Sequence, residues 1–145
     1  MIRIIHSRTA QVLTMRSPGS AGYDFHLTQE VVLKPGDIKK IDLGFGLEMP
    51  HNVFATIEAR SSMGQCPVDV FRGVIDSDFR SNIFTILRNF SRQTVTIPGN
   101  RKIGQLVFHF RPQLQVFDAG QQVLPQGTRE ERPEPPREQL EIAHF

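Results

Sequence analysis

Ile41-Asp42-Leu43-Gly44-Phe45-Gly46-Leu47-Glu48 is apolar at every second position. Successive side chains of an extended chain point to opposite faces, so the run reads as a strand with Ile41, Leu43, Phe45 and Leu47 turned to a core. Pro35-Gly36-Asp37 stands just before it and is a turn signal, since proline presets one backbone angle and glycine accepts a positive one. The same two-residue period returns in Val53, Ala55, Ile57 and Ala59, in Val95 and Ile97, and in Leu106, Phe108 and Phe110. Pro98-Gly99-Asn100 turns the chain between the last two. Ile83-Phe84-Thr85-Ile86-Leu87 lacks clean alternation, which predicts a strand covered on both faces. No stretch sustains a helical period and no unit repeats. Short strands punctuated by Gly and Pro predict an all-β domain of sandwich, jelly-roll or barrel type.

At 145 residues the chain predicts one domain with a single modest core. Hydrophobic residues make up 39%, with no apolar run long enough for a membrane span. The apolar part of Met1–Arg8 is too short for a secretory signal and reads as a first strand. Cys66 is the only cysteine, which favours a reducing compartment; the expected location is intracellular, cytoplasmic or nuclear. His6, His26, His51, His109 and His144 show no ligand-like spacing, so no protein-ligated zinc is expected. A net charge of +2 makes no case for a nucleic-acid partner. Composition changes after about Ala119. Gln126 to Glu138 is nearly devoid of apolar residues and alternates in charge, as an extended arm does. The division expected is therefore a β domain over 1–118 and a Pro/Glu/Arg-rich arm over 119–145. Leu140, Ile142 and Phe145 at its end offer a docking point for a sister subunit or another protein.

Chemistry concentrates in Gly73-Val74-Ile75-Asp76-Ser77-Asp78-Phe79. Val74 and Ile75 are expected to anchor the turn in the core, which leaves Asp76 at the rim, where a carboxylate can polarise a water. Phe79 offers a flat face for a sugar or base. Three further segments accompany it: Ser20-Ala21-Gly22-Tyr23-Asp24-Phe25, Ala59-Arg60-Ser61-Ser62-Met63 and Gly99-Asn100-Arg101-Lys102-Ile103-Gly104-Gln105-Leu106. Tyr23 and Phe25 read as core. In this order and at these separations, the four segments resemble the first four motifs of the trimeric dUTP diphosphatase (dUTPase) family, from about Ile2 to about Val116.

The resemblance implies a distorted jelly roll that assembles as a homotrimer with three clefts between subunits. Asp76 and Phe79 would come from a different subunit than Arg60, Ser61 and Gln105. It also implies hydrolysis of Mg²⁺-bound dUTP by water attack on the α-phosphorus, with Asp76 as the base and Asp24 holding waters of the Mg²⁺ shell. Arg60 and Ser61 would address phosphate oxygens, with Ser62 and Gln105 adding neutral hydrogen bonds. The family reads uracil through backbone groups of a tight hairpin, here Val68 to Gly73, and an aromatic ring excludes a ribose 2′-hydroxyl. Phe79 stands where tyrosine is usual. Arg72 replaces a small residue and either points outward or narrows the pocket.

The family's fifth motif, a glycine-rich arm that closes over the nucleotide, is replaced. After Thr128-Arg129 the chain runs Glu130-Glu131-Arg132-Pro133-Glu134-Pro135-Pro136. Prolines have no N–H to donate to phosphate, and glutamates repel it. Arg129 remains available for the γ-phosphate. Ser81 replaces a family glycine as well. Two functions follow: a dUTPase of reduced efficiency with an atypical lid, or an inactive regulatory module that binds a protein through its tail. Deaminase chemistry on dCTP, known in a related family, would want a glutamate between Ser81 and Asn89, and that stretch has none.

Overall fold

The computed structural model describes residues 1–7, 13–117, 119 and 120. The chain divides into two units, Met1–Pro112 and Gln113–Phe145. The described residues of the second unit hold no strand or helix; Arg129 and the rest of the arm from residue 121 lie outside them. Among the described residues the first unit is built of twelve strands: β1 (Arg3–Ile5), β2 (Leu13–Thr14), β3 (Tyr23–His26), β4 (Val31–Leu33), β5 (Ile38–Asp42), β6 (Gly46–Glu48), β7 (Val53–Ala59), β8 (Val68–Val70), β9 (Gly73–Ile75), β10 (Phe84–Asn89), β11 (Val95–Ile97) and β12 (Lys102–Phe110). The one helical element among them is a 3-10 turn over Ser61–Gln65. No described helix is long and apolar enough to cross a membrane.

All strand pairs are antiparallel, in the short interleaved sheets of a distorted jelly roll. The largest sheet runs in the order β2-β3-β12-β7-β9, and a second in the order β5-β10-β8. Phe25, Leu27, Leu33, Leu47, Leu87, Ile103 and Leu106 lie in the core they enclose. Arg3 and Glu48 form an ion pair across the pair β1-β6.

The opening run does not form one strand. Its apolar members Leu43, Phe45 and Leu47 are all buried, but so is Gly46 between them, and the chain leaves β5 at Asp42 and enters β6 at Gly46, in a different sheet. Gly44 turns it with φ +78°, a region in which any side chain is strained. Asp42 fixes the corner by accepting the Gly44 N–H at 2.7 Å, and Asn82 donates to the same carboxylate. The turn at residues 34–37 forms as expected, with Asp37 Oδ2 accepting the Lys34 N–H at 2.9 Å.

Three core expectations are corrected. β10 is not covered on both faces: Thr85, Leu87 and Asn89 point inward, while Phe84 and Arg88 are exposed. Asn89 is fully buried because its amide uses its hydrogen bonds there, donating to the Leu33 and Gln93 carbonyls and accepting from Ser91. Phe110, at the end of β12, is 83% exposed. Tyr23 also reaches the surface, edge-on to Phe108, whereas Phe25 is buried as expected.

Candidate active site

Antiparallel registers align a row of polar side chains across the large sheet. Thr14 lies opposite Asp24, Asp24 opposite Gln105, and Gln105 opposite Glu58. Cross-strand partners share a face, so this row sits on the side of the sheet away from Phe25 and Leu106. Asp24 is only 8% exposed, and a buried carboxylate needs paired charge. Arg60 supplies it, its Nε lying 3.1 Å from Oδ1. Lys102 Nζ stands 3.8 Å from Oδ2.

Arg60 reaches Asp24 because β7 ends at Ala59 and the next residue caps the 3-10 turn in extended conformation, with φ −73° and ψ 148°. Its N–H donates to the Ile103 carbonyl at 3.3 Å, and its own carbonyl accepts from Met63 at 2.9 Å. Ser61 and Ser62 are the exposed first residues of that turn, and Met63 pins it to the core. Four expected residues, Asp24, Arg60, Ser61 and Ser62, therefore gather with Gln105 at one end of the sheet. Lys102 joins them and is absent from the sequence-based set. A lysine in an alternating strand carries no signal of its own; the register sets Lys102 opposite His26, from where its side chain reaches Asp24.

Gly73, Asp76 and Phe79 form a second group. Gly73 opens β9 opposite Ile57. Ile75 is buried as expected, but Val74 is 67% exposed, because period-two alternation on an edge strand turns it to the opposite face. Asp76 follows at the rim, exposed, and its carbonyl accepts the Phe79 N–H at 3.1 Å, closing a turn. The Phe79 ring packs partly against the core.

These two groups are far apart within one chain. Ile75 is level with Ala55, so Asp76 continues to about the level of Phe54, whereas Gln105 is level with Glu58. Four residues along β7 and two strand spacings across the sheet separate Asp76 from Gln105 by roughly 15 Å, with Asp24 one strand further. A single protomer brings together the phosphate-type cluster but not the base and the aromatic ring with it.

The segment Val68 to Gly73 is not a paired hairpin. β8 joins β10 as the edge of one sheet, and β9 joins β7 as the edge of the other. The two arms are splayed, so their facing edges leave ladder groups unpaired with one another. Arg72 turns to Glu58, its Nε 2.8 Å from Oε1, which ties the base of the loop to β7. No cluster of three or more metal-ligating side chains is found among the described residues.

Comparisons with known proteins bear on the family and the fold. The family model for dUTPase matches residues 8–128. The deoxyuridine 5'-triphosphate nucleotidohydrolase of vaccinia virus (strain Copenhagen) is 33% identical over 104 residues, which is 70% of this chain and 71% of that protein. Among solved structures, the dUTPase of Staphylococcus bacteriophage 80alpha superposes with a TM-score of 0.77 at 16% identity, covering 83% of this chain and 97% of that one. A mutant dUTPase from phage phi11 of S. aureus, whose structure describes the coordination of a structural Mg(II) ion, superposes with a TM-score of 0.76 at 17% identity and the same coverage.

Proposed function

The chain belongs to the dUTPase family, and from that premise we propose that it hydrolyses dUTP to dUMP and pyrophosphate, with Mg²⁺, in a homotrimer. The observation that carries this reading is the ion pair between buried Asp24 and half-buried Arg60, with Asp24 in register with Gln105. It concentrates a carboxylate, a guanidinium and an amide where a polyphosphate needs fixed donors. Ser61 and Ser62 beside it add hydroxyl donors, and Lys102 a second cation.

The donor set suits Mg²⁺. One carboxylate with no histidine or thiol partner fits a hard ion that keeps its waters and is carried by phosphate oxygens, not a cage of protein ligands. When bound, the ion neutralises the triphosphate and polarises the scissile phosphorus. Asp24 would hold the ion through water, leaving Arg60 and Lys102 to address phosphate oxygens. Asp76 takes the proton of the attacking water. The new P–O bond forms at the α-phosphorus as the bridging bond to the β-phosphate breaks, and pyrophosphate leaves. The splayed edges of β8 and β9 present backbone donors and acceptors for uracil, and the Phe79 ring closes the space beside the deoxyribose.

Because Asp76 and the Arg60 cluster are far apart in one chain, a complete cleft takes Asp76, Gly73 and Phe79 from one subunit and Arg60, Ser61 and Gln105 from its neighbour. After Arg129 the arm has no glycine, the residue that lets consecutive N–H groups wrap phosphate. Arg129 is left as its phosphate contact, and reduced efficiency follows, because a lid excludes water and completes the site.

The test is pyrophosphate release from dUTP with Mg²⁺, set against dTTP, dCTP and UTP. Asp76→Asn is expected to abolish release while nucleotide binding persists. Protein that binds dUTP and releases no pyrophosphate at high enzyme concentration would overturn hydrolysis. The fold would then serve as a regulatory module whose Pro/Glu/Arg tail binds another protein.

A further inference from the structure

The turn that carries Asp76 and Phe79 is exposed, yet it is held from several sides. Arg80 folds back beneath it, and its Nη1 donates to the Ser77 carbonyl at 2.7 Å and to the Phe79 carbonyl at 3.2 Å. Inside that span the Phe79 N–H closes on the Asp76 carbonyl at 3.1 Å. Arg80 is itself fastened, since His6 Nε2 lies 3.2 Å from its carbonyl. A carbonyl only accepts, so Nε2 carries the proton. His6 meets Arg80 from a left-handed backbone conformation, φ +58°, which is uncommon for a residue with a side chain. Gly46 makes the approach possible: a Cβ there would lie 3.0 Å from the Ser81 carbonyl and 3.2 Å from the His6 ring. The far end of the loop is closed by the Ile83 N–H on the Phe45 carbonyl at 2.7 Å.

We infer that Arg80, buttressed by His6, is a positioning residue that sets the Asp76–Phe79 turn for catalysis. A charged donor makes stronger hydrogen bonds than a neutral one, and both carbonyls it reaches belong to the turn that displays the base and the ring. The inference rests on the proposed roles of Asp76 and Phe79. An error of about 1 Å at a reacting group costs on the order of 100-fold in rate, so a turn lacking this brace loses kcat more than substrate affinity.

Two readouts test it, one independent of turnover. In nucleotide-free protein, Arg80→Ala is expected to speed amide exchange at Phe79 by about tenfold while β7 and β12 keep their protection. In turnover, Arg80→Ala is expected to lower kcat by about 10- to 100-fold with KM for dUTP little changed, and to narrow the preference for dUTP over UTP as the Phe79 ring loosens. Added guanidinium ion, or Arg80→Lys, whose ammonium carries three donors, should recover much of the lost kcat. His6→Ala should show the same pattern more weakly. Wild-type exchange at Phe79 in Arg80→Ala would overturn the brace whether or not the protein hydrolyses dUTP. So would a kcat within twofold of wild type, or a loss that neither guanidinium nor lysine restores. If the wild type turns over no dUTP but Phe79 exchange accelerates in the variant, the proposed hydrolysis fails and the brace stands.

Discussion

Gly104 has no side chain because Phe25 fills the space one would occupy. A Cβ built there overlaps the Phe25 ring edge and lies 3.0 Å from the Glu58 carbonyl oxygen. Gly104→Ala must therefore displace a buried ring next to Gln105, at a cost of about 1–3 kcal/mol. The check is a lower urea midpoint at unchanged m-value. Asn89 is the polar counterpart. Its side chain makes four hydrogen bonds from a fully buried position, so Asn89→Ala removes all four at once and is expected to cost about 2–4 kcal/mol in the same measurement. Neither role was legible beforehand. A glycine in a strand and an asparagine after Leu87-Arg88 look permissive in sequence, and only the facing residues show that each position is determined. Asp24, Arg60, Ser61, Asp76 and Gln105 differ in kind: they became candidates only through the co-occurrence of four motifs, because no single residue among them is unusual in its own segment.

At the scale of elements, side-chain periodicity reported burial well in the middle of strands, failed at an end such as Phe110, and reported pairing poorly. Period two states which way a side chain points, not which strand its backbone bonds. Ile41 to Glu48 therefore reads as continuous, although Gly44 breaks it into strands of two sheets. The hairpin expected over Val68 to Gly73 came from the family resemblance, and its two arms, near in sequence, bond to different neighbours. Gly44→Ala tests the corner. An alanine at φ +78° carries left-handed strain, and its Cβ would press Thr28 Cγ2 at 3.3 Å. The expected cost is about 1–2 kcal/mol, read as a lower midpoint with the β content of the circular dichroism spectrum unchanged. A loss of strand signal would mean that the corner is needed to form β5 or β6 at all.

On the scale of the whole molecule, the separation of the two residue groups makes a sharp demand. If Asp76 and Arg60 served one cleft within a protomer, two inactive variants could never repair each other. If the cleft lies between subunits, they can. Asp76→Asn protein retains Arg60, and Arg60→Ala protein retains Asp76, so a mixed trimer places an intact Asp76 beside an intact Arg60 wherever the two kinds of subunit meet in the right order. Closed cyclic symmetry gives each interface one donor and one acceptor of these residues. Random assembly from equal amounts then leaves about a quarter of interfaces intact, because each of two independent choices succeeds half the time. Each variant alone is expected to release almost no pyrophosphate from dUTP, and the pair, unfolded and refolded together, about a quarter of the wild-type rate. Mixing the folded variants without subunit exchange supplies the control, and it should stay inactive. Co-refolded protein that is trimeric by sedimentation yet inactive would place both residues in a single protomer's site. That outcome contradicts the strand register, which sets them on opposite ends of one sheet.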